Sequence, residues 1–196
     1  MWIAQLALVR LEKPTRHWLS IKDYYRMAEV GIIAPDARTE LINGEIIDMA
    51  QIGNIHGGVV DQINRILVNA VGEKAIVRIQ GAIELDAFSQ VQSDAAVLCP
   101  RDDFYKTGEH NPSGSDTYLL IEVSVSSLKY DREVKAPLYA QREVPALLLI
   151  SPEHNSVDYY SEPKDGVYQK QVRLEELQRV PVGTLGDVWM DLSGLL

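Results

Sequence analysis

Residues 118–125, Tyr-Leu-Leu-Ile-Glu-Val-Ser-Val, decide how the chain folds. An apolar run without alternation reads as a strand buried on both faces, at the centre of a covered sheet. Working outward, Ala146–Ile150 (ALLLI) reads as a second buried strand. The stretch at about 130–142 between them reads as a helix, kinked or started late by Pro137. Upstream, Ala75–Glu84 and Ala95–Leu98 read as strands, and residues 100–117 as an 18-residue polar loop. Loops of that length inside a compact domain are uncommon and are usually functional or mobile. Before them a helix over about 55–71 carries Val59, Ile63, Ile66, Leu67 and Ala70 on one stripe, with Asn54 as its expected cap and Gly72 as its stop. The order is helix, three strands, helix, strand.

Two additions flank that core. Ser20 and Asp23 make a capping box for a helix over about 21–30, with Ile21, Tyr24, Tyr25 and Ala28 on one face. Glu40–Ile47 forms two short apolar arms around Asn43-Gly44, a hairpin signal. In the tail, Val157–Tyr160 and Val167–Val172 pair around Asp165-Gly166. The expectation is one domain over 1–196, with a core at about 54–151. An N-terminal helix and hairpin occupy 18–50, and a C-terminal hairpin and tail 152–196.

Composition sets bounds on function. At 21.9 kDa, area scaling predicts that roughly 70% of the unfolded chain's surface is buried on folding, enough for a core without staples. The one cysteine, Cys99, excludes an internal disulfide framework and any multi-cysteine zinc site. No apolar run approaches the length that spans a bilayer, and residues 1–9 lack the basic start and small-residue end of a signal peptide. A soluble, cytoplasmic protein with no membrane association is expected. A net charge of −9 repels nucleic acid globally, so any binding there needs a local basic groove or a bound divalent cation.

Two acids stand where acids are costly. Glu122 interrupts the central strand, and Asp94 opens the strand Ser93–Leu98. A carboxylate in a buried strand must be paired or liganded, or else sit at a strand end that reaches solvent. Two acids at matching ends of neighbouring strands form a hard oxygen site suited to Mg²⁺ or Mn²⁺. Lys135, one turn into the following helix, can point back at that site or into solvent.

The residues resemble the Uma-type family of restriction-endonuclease-like proteins, within the PD-(D/E)xK nuclease superfamily. The likeness spans roughly 18–162: the helix WLSIKDYYRMAE, the hairpin from Glu40, His56 opening the next helix, and Ser93-Asp94 where the family has Pro-Asp. Leu120–Ser124 matches the family's acidic strand, and Asp131, Lys135 and Tyr139 its D-x3-K-x3-Y helix. The resemblance implies an α/β restriction-endonuclease-like αβββαβ core with a mixed central sheet. It also implies Mg²⁺- or Mn²⁺-dependent phosphodiester hydrolysis of DNA, with Asp94 and Glu122 as metal ligands. Lys135 then supplies the charge that Ser124, in the superfamily's usual lysine position, cannot. Glu40 is the family's additional acid and is expected at the rim, with a hairpin-edge role as the equal alternative. Tyr139 and His56 are candidates for supporting roles; for His56 a capping or surface position is the commoner fate.

Three functions stay open: a metal-dependent endonuclease, an inactive nuclease-fold binding or scaffold module, and a phosphohydrolase for small nucleotides. The four histidines show no zinc spacing, and no phosphate loop or serine-hydrolase elbow is present. Trp189-Met190 offers a homodimer contact, or packing within the chain.

Overall fold

The central strand is β5, Thr117–Val123, and its apolar residues alternate between two hydrophobic clusters. Leu119, Ile121 and Val123 enter one hydrophobic cluster, and Leu120 enters the other with Tyr139 and Leu147. The computed structural model describes residues 15–108, 110–174 and 179–196. The apolar opening stretch 1–9 lies outside them.

Helix α1 (Ile21–Glu29) carries the expected Ser20–Asp23 capping box. It docks through tyrosine tips rather than a buried apolar face: Tyr24 Oη donates to the Thr39 carbonyl, and Tyr25 Oη to Gln90. Ile21, Tyr24 and Met27 are partly buried, while Tyr25 and Ala28 are exposed, so the inward face is narrower than expected and includes Met27 in place of Ala28. Strands β1 (Thr39–Ile42) and β2 (Glu45–Asp48) form the hairpin, with Asn43 and Gly44 both at positive φ as a two-residue turn requires. Helix α2 (Asn54–Val71) starts one residue earlier than its sequence pattern predicts, with Gly53 in the cap position and Asn54 already helical.

Strands β3 (Ile76–Asp86) and β4 (Ser89–Leu98) form one long hairpin. The first half of β4 is not predicted by the sequence pattern. Its residues Ser89–Ser93 are mostly polar, yet Ser89, Gln90 and Ser93 are buried. After β5 the chain makes a short turn of helix α3 (Leu128–Tyr130), a π-helical turn at Asp131–Lys135, and α4 (Ala136–Gln141). Pro137 falls in the first turn of α4, where a missing N–H costs little, so the proline marks a new start rather than a kink.

Strand β6 (Ala146–Ser151) runs parallel to β5, and β7 (Ser156–Lys164) and β8 (Val167–Arg173) complete the sheet as an antiparallel hairpin. The sheet is mixed, ordered β2-β1-β4-β5-β6-β7-β8, with β3 on the other edge of β4. Helix α2 covers one face together with β9 (Arg179–Pro181) and β10 (Trp189–Asp191), a small separate sheet. Gly183 allows that tail to close on β5, since a Cβ there would lie 1.7 Å from the Tyr118 carbonyl oxygen. Within this tail Met190 is fully buried in the chain's own core, while Trp189 stays half exposed.

The pairing of β4 creates the functional opening. Its full length pairs with β3, so β1 and β5 must share its opposite edge: Leu41 pairs with Gln90, and Ala95 with Ile121. Between those contacts the two strands diverge and leave part of the β4 edge without a strand partner.

Candidate active site

The backbone in that gap is satisfied by carboxylates. Gln92 N donates to Glu40 Oε1 at 2.8 Å, and Val123 N, at the end of β5, donates to Asp94 Oδ2 at 2.8 Å. Glu40 is therefore not at the rim. It is 4% exposed and lies inside the site, because β1 delivers it to the open edge of β4. Alternation along β4 and β5 places Asp94 and Glu122 on one sheet face with Ala96 and Leu120, beneath α4.

Lys135 reaches this face from the π-helical turn. Its Nζ lies 2.9 Å from Glu122 Oε1 and 3.1 Å from Glu40 Oε1, and the side chain is 4% exposed. Burial disfavours the ammonium, but Glu122, Glu40 and Asp131 outweigh it and hold the lysine pKa above its ordinary value. Glu122 moves the other way for a carboxyl: burial pushes it up to about 8, with Lys135 opposing and Asp94, Glu40 and Asp131 adding to the rise. One ammonium thus serves a group of acids larger than it can neutralise.

Tyr139, one helical turn beyond Lys135, donates its hydroxyl to Glu122 Oε1. Its own ionisation is suppressed by burial and by Glu122, so it is a fixed donor. His56, in the first turn of α2, places Nε2 3.1 Å from Asp94 Oδ1, which corrects the expectation of a capping or surface role. Its Nδ1 is buried and has no hydrogen-bond partner among the described residues. The sequence does not reveal this contact, since it depends on how α2 packs over β4.

Ser124, two residues beyond Glu122, has a different task from supplying charge. Its Oγ donates to Asp131 Oδ2 at 2.5 Å, and Ser127 Oγ donates to the same oxygen at 2.6 Å. Asp131 opens the π-helical turn that ends in Lys135. The serine therefore ties the end of β5 to the element that carries the lysine. Sequence alone places Asp131 in a motif and gives it no role; its spacing of four from Lys135 is the available signal.

Glu40, His56, Asp94, Glu122, Asp131 and Lys135 line a cleft of about 710 Å³. Five acids face it (Glu40, Asp48, Asp94, Glu122 and Asp131) against Arg38 and Lys135. Among the described residues no three His, Cys, Asp or Glu side chains form a ready-made metal cage. The donor set still suits a hard divalent cation. Among the described residues the hydrogen bonds of Glu40 and Glu122, and their closest approaches to Lys135, are made through Oε1.

Comparison with known proteins bears on this arrangement. The family model described as "Putative restriction endonuclease" (Uma2) matches residues 21–193. The chain belongs to the Uma2 family. A crystal structure of "a putative nuclease belonging to DUF820" from Anabaena variabilis is similar at a TM-score of 0.64 and 16% identity. The similarity covers 85% of this chain and 90% of that one, and at this identity it speaks for the fold. No curated protein matches the chain. Uma2 membership and the shared α/β architecture bear out the nuclease-like fold expected from the sequence. Among the described residues no helix is long and apolar enough to cross a membrane.

Proposed function

We propose that this Uma2 protein is a divalent-cation-dependent endonuclease that hydrolyses phosphodiester bonds in DNA. The observation that carries the reading is the burial of Lys135 between Glu122 and Glu40, on the wall of an open acidic cleft that Asp94 also lines. A generic α/β core gains nothing from such a cluster, because desolvating these charges costs several kcal/mol or more.

Asp94 and Glu122 are the residues that would hold the cation, with Glu40 beside them. When bound, Mg²⁺ or Mn²⁺ supplies an acidified water and polarises a phosphoryl oxygen. The chain's own groups do the rest. Lys135 places a fixed positive charge where negative charge grows on the phosphate, and low dielectric strengthens it there. Tyr139 fixes the orientation of Glu122, and His56 that of Asp94. The Ser124–Asp131–Ser127 latch holds the turn from which Lys135 projects. For cleavage of both DNA strands the reading includes a homodimer, which sedimentation at micromolar concentration checks.

One feature favours the inactive-scaffold alternative: Lys135 already satisfies both acids at hydrogen-bond distances. The two readings separate by incubating the protein with plasmid, single-stranded oligonucleotide and mononucleotides, with Mg²⁺ or with chelator. Cation-dependent cleavage of plasmid, lost in Glu122→Gln, is expected. Hydrolysis of mononucleotides alone would make the chain a small-nucleotide phosphohydrolase, and no hydrolysis of any substrate would favour the scaffold.

A further inference from the structure

The acidic cleft has a neighbour. Val125 and Ser126, just beyond β5, line both the cleft and a second cavity of about 420 Å³. Its far wall is the turn after β6, at Glu153 and His154, so both cavities lie at the C-terminal ends of the parallel strands β5 and β6. Open α/β sheets receive ligands at that end.

The two cavities differ in charge. Five acids face Arg38 and Lys135 in the cleft, whereas in the neighbour Lys129 and Arg132 balance Glu133 and Glu153; a histidine lines each, His56 and His154. Arg132 is anchored rather than neutralised. It donates to Asp158 Oδ2 at 2.7 Å, but Asp158 also takes two bonds from Arg173, at 2.8 and 2.9 Å. One buried carboxylate thus orients two guanidinium groups and leaves one positive charge over. Among the described residues Arg132 Nε is buried with no hydrogen-bond partner, while the side chain as a whole stays one-third exposed and lines the cavity. Lys129 approaches Glu133 only to 3.9 Å, with both side chains exposed, a contact easily exchanged for a stronger anion. His154 is fixed through Nδ1 by Ser151 Oγ at 2.9 Å.

We propose that this cavity binds a backbone phosphate of the nucleic-acid strand, adjacent to the phosphodiester addressed in the acidic cleft. The ligands are the Arg132 guanidinium, the Lys129 ammonium and the Ser126 hydroxyl. The proposal rests on the nuclease reading and gives it what a −9 chain lacks, a local foothold for a polyanion. Such a contact sets the register of the strand without reading its sequence.

The test is fluorescence anisotropy with a labelled oligonucleotide across a salt series, with Ca²⁺ present as the hard cation. Wild type is compared with Lys129→Glu, Arg132→Gln and the control Lys170→Gln, a β8 lysine paired with Glu162. Lys129 is exposed, so its variant reports even if Arg132→Gln weakens the fold. Each cavity variant should lower the slope of log K against log salt by about 0.7–0.9 for every phosphate it ceases to neutralise, equally on unrelated sequences. The control should not change it. Mononucleotide binding should be unaffected, since a single phosphate in the acidic cleft does not span both cavities. Unchanged slopes with normal wild-type binding overturn this subsite and leave the nuclease reading intact. Equal losses on mononucleotide place the phosphate elsewhere and also overturn it. A wild type that binds neither oligonucleotide nor cation overturns both.

Discussion

Lys135 and Glu40 stand 95 positions apart in the chain and 3.1 Å apart in space, both almost sealed from water. Removing the lysine leaves Glu40 and Glu122 as buried acids without their shared cation. Lys135→Met should therefore cost about 3–5 kcal/mol in urea unfolding at pH 7. Adding Glu40→Gln should recover part of that loss. An unchanged midpoint in the single variant would mean that the lysine does not compensate these acids.

Calorimetric titration of Mn²⁺ should show binding in wild type and none in Glu122→Gln, which keeps the shape of the side chain but removes its charge. Lys135→Ala, if folded, should retain cation affinity and lose hydrolysis. Equal heats in wild type and Glu122→Gln would remove Glu122 from the cation site.

Cation affinity should climb with pH. A carboxyl held up to about 8 must lose its proton to accept a cation, so binding releases a proton below that value. Apparent affinity should rise about tenfold per unit between roughly pH 6 and 8 and then level off. Stability runs in the opposite direction. From about pH 4.3 upward the unfolded chain has lost this proton while the folded chain keeps it, so Glu122's contribution falls as pH approaches 8. Glu122→Gln should flatten both dependences, measured by titration calorimetry and urea unfolding.

Ser124→Ala removes a buried donor from Asp131 and should cost about 1–3 kcal/mol in thermal unfolding. It should also slow hydrolysis without changing cation affinity, because Asp131 positions the lysine and not the acids. Ser127→Ala removes a more exposed donor to the same oxygen and should have a smaller effect on both. Identical hydrolysis rates in Ser124→Ala and wild type would reduce the latch to a stability element.

Much of the fold is legible in the sequence because period and turn chemistry agree. The unalternating run at 118–125, the stripe on α2 and the Asn43-Gly44 turn each carry their element. The first half of β4 is not legible, since its mostly polar residues are buried by tertiary contacts that no local pattern announces. The small β9–β10 sheet escapes for a related reason: three-residue strands leave no period to read. For the site, Glu122 stands out as an acid in an apolar strand, and Asp94 and Lys135 follow from spacing and family resemblance. Glu40's depth and His56's contact with Asp94 depend on where β1 and α2 meet β4, which a linear pattern does not encode.

The divergence of β1 and β5 along one edge of β4 has a consequence for assembly during synthesis. Glu40 emerges early, Asp94 midway and Lys135 late, and the cleft is complete only after β1 and β5 have paired with β4 and Lys135 has reached Glu40 and Glu122. Contacts of such long sequence separation close slowly, because loop entropy opposes them until the sheet is in place. A partly synthesised chain therefore carries the acids without their lysine, and the complete charge arrangement comes into being only with the finished sheet.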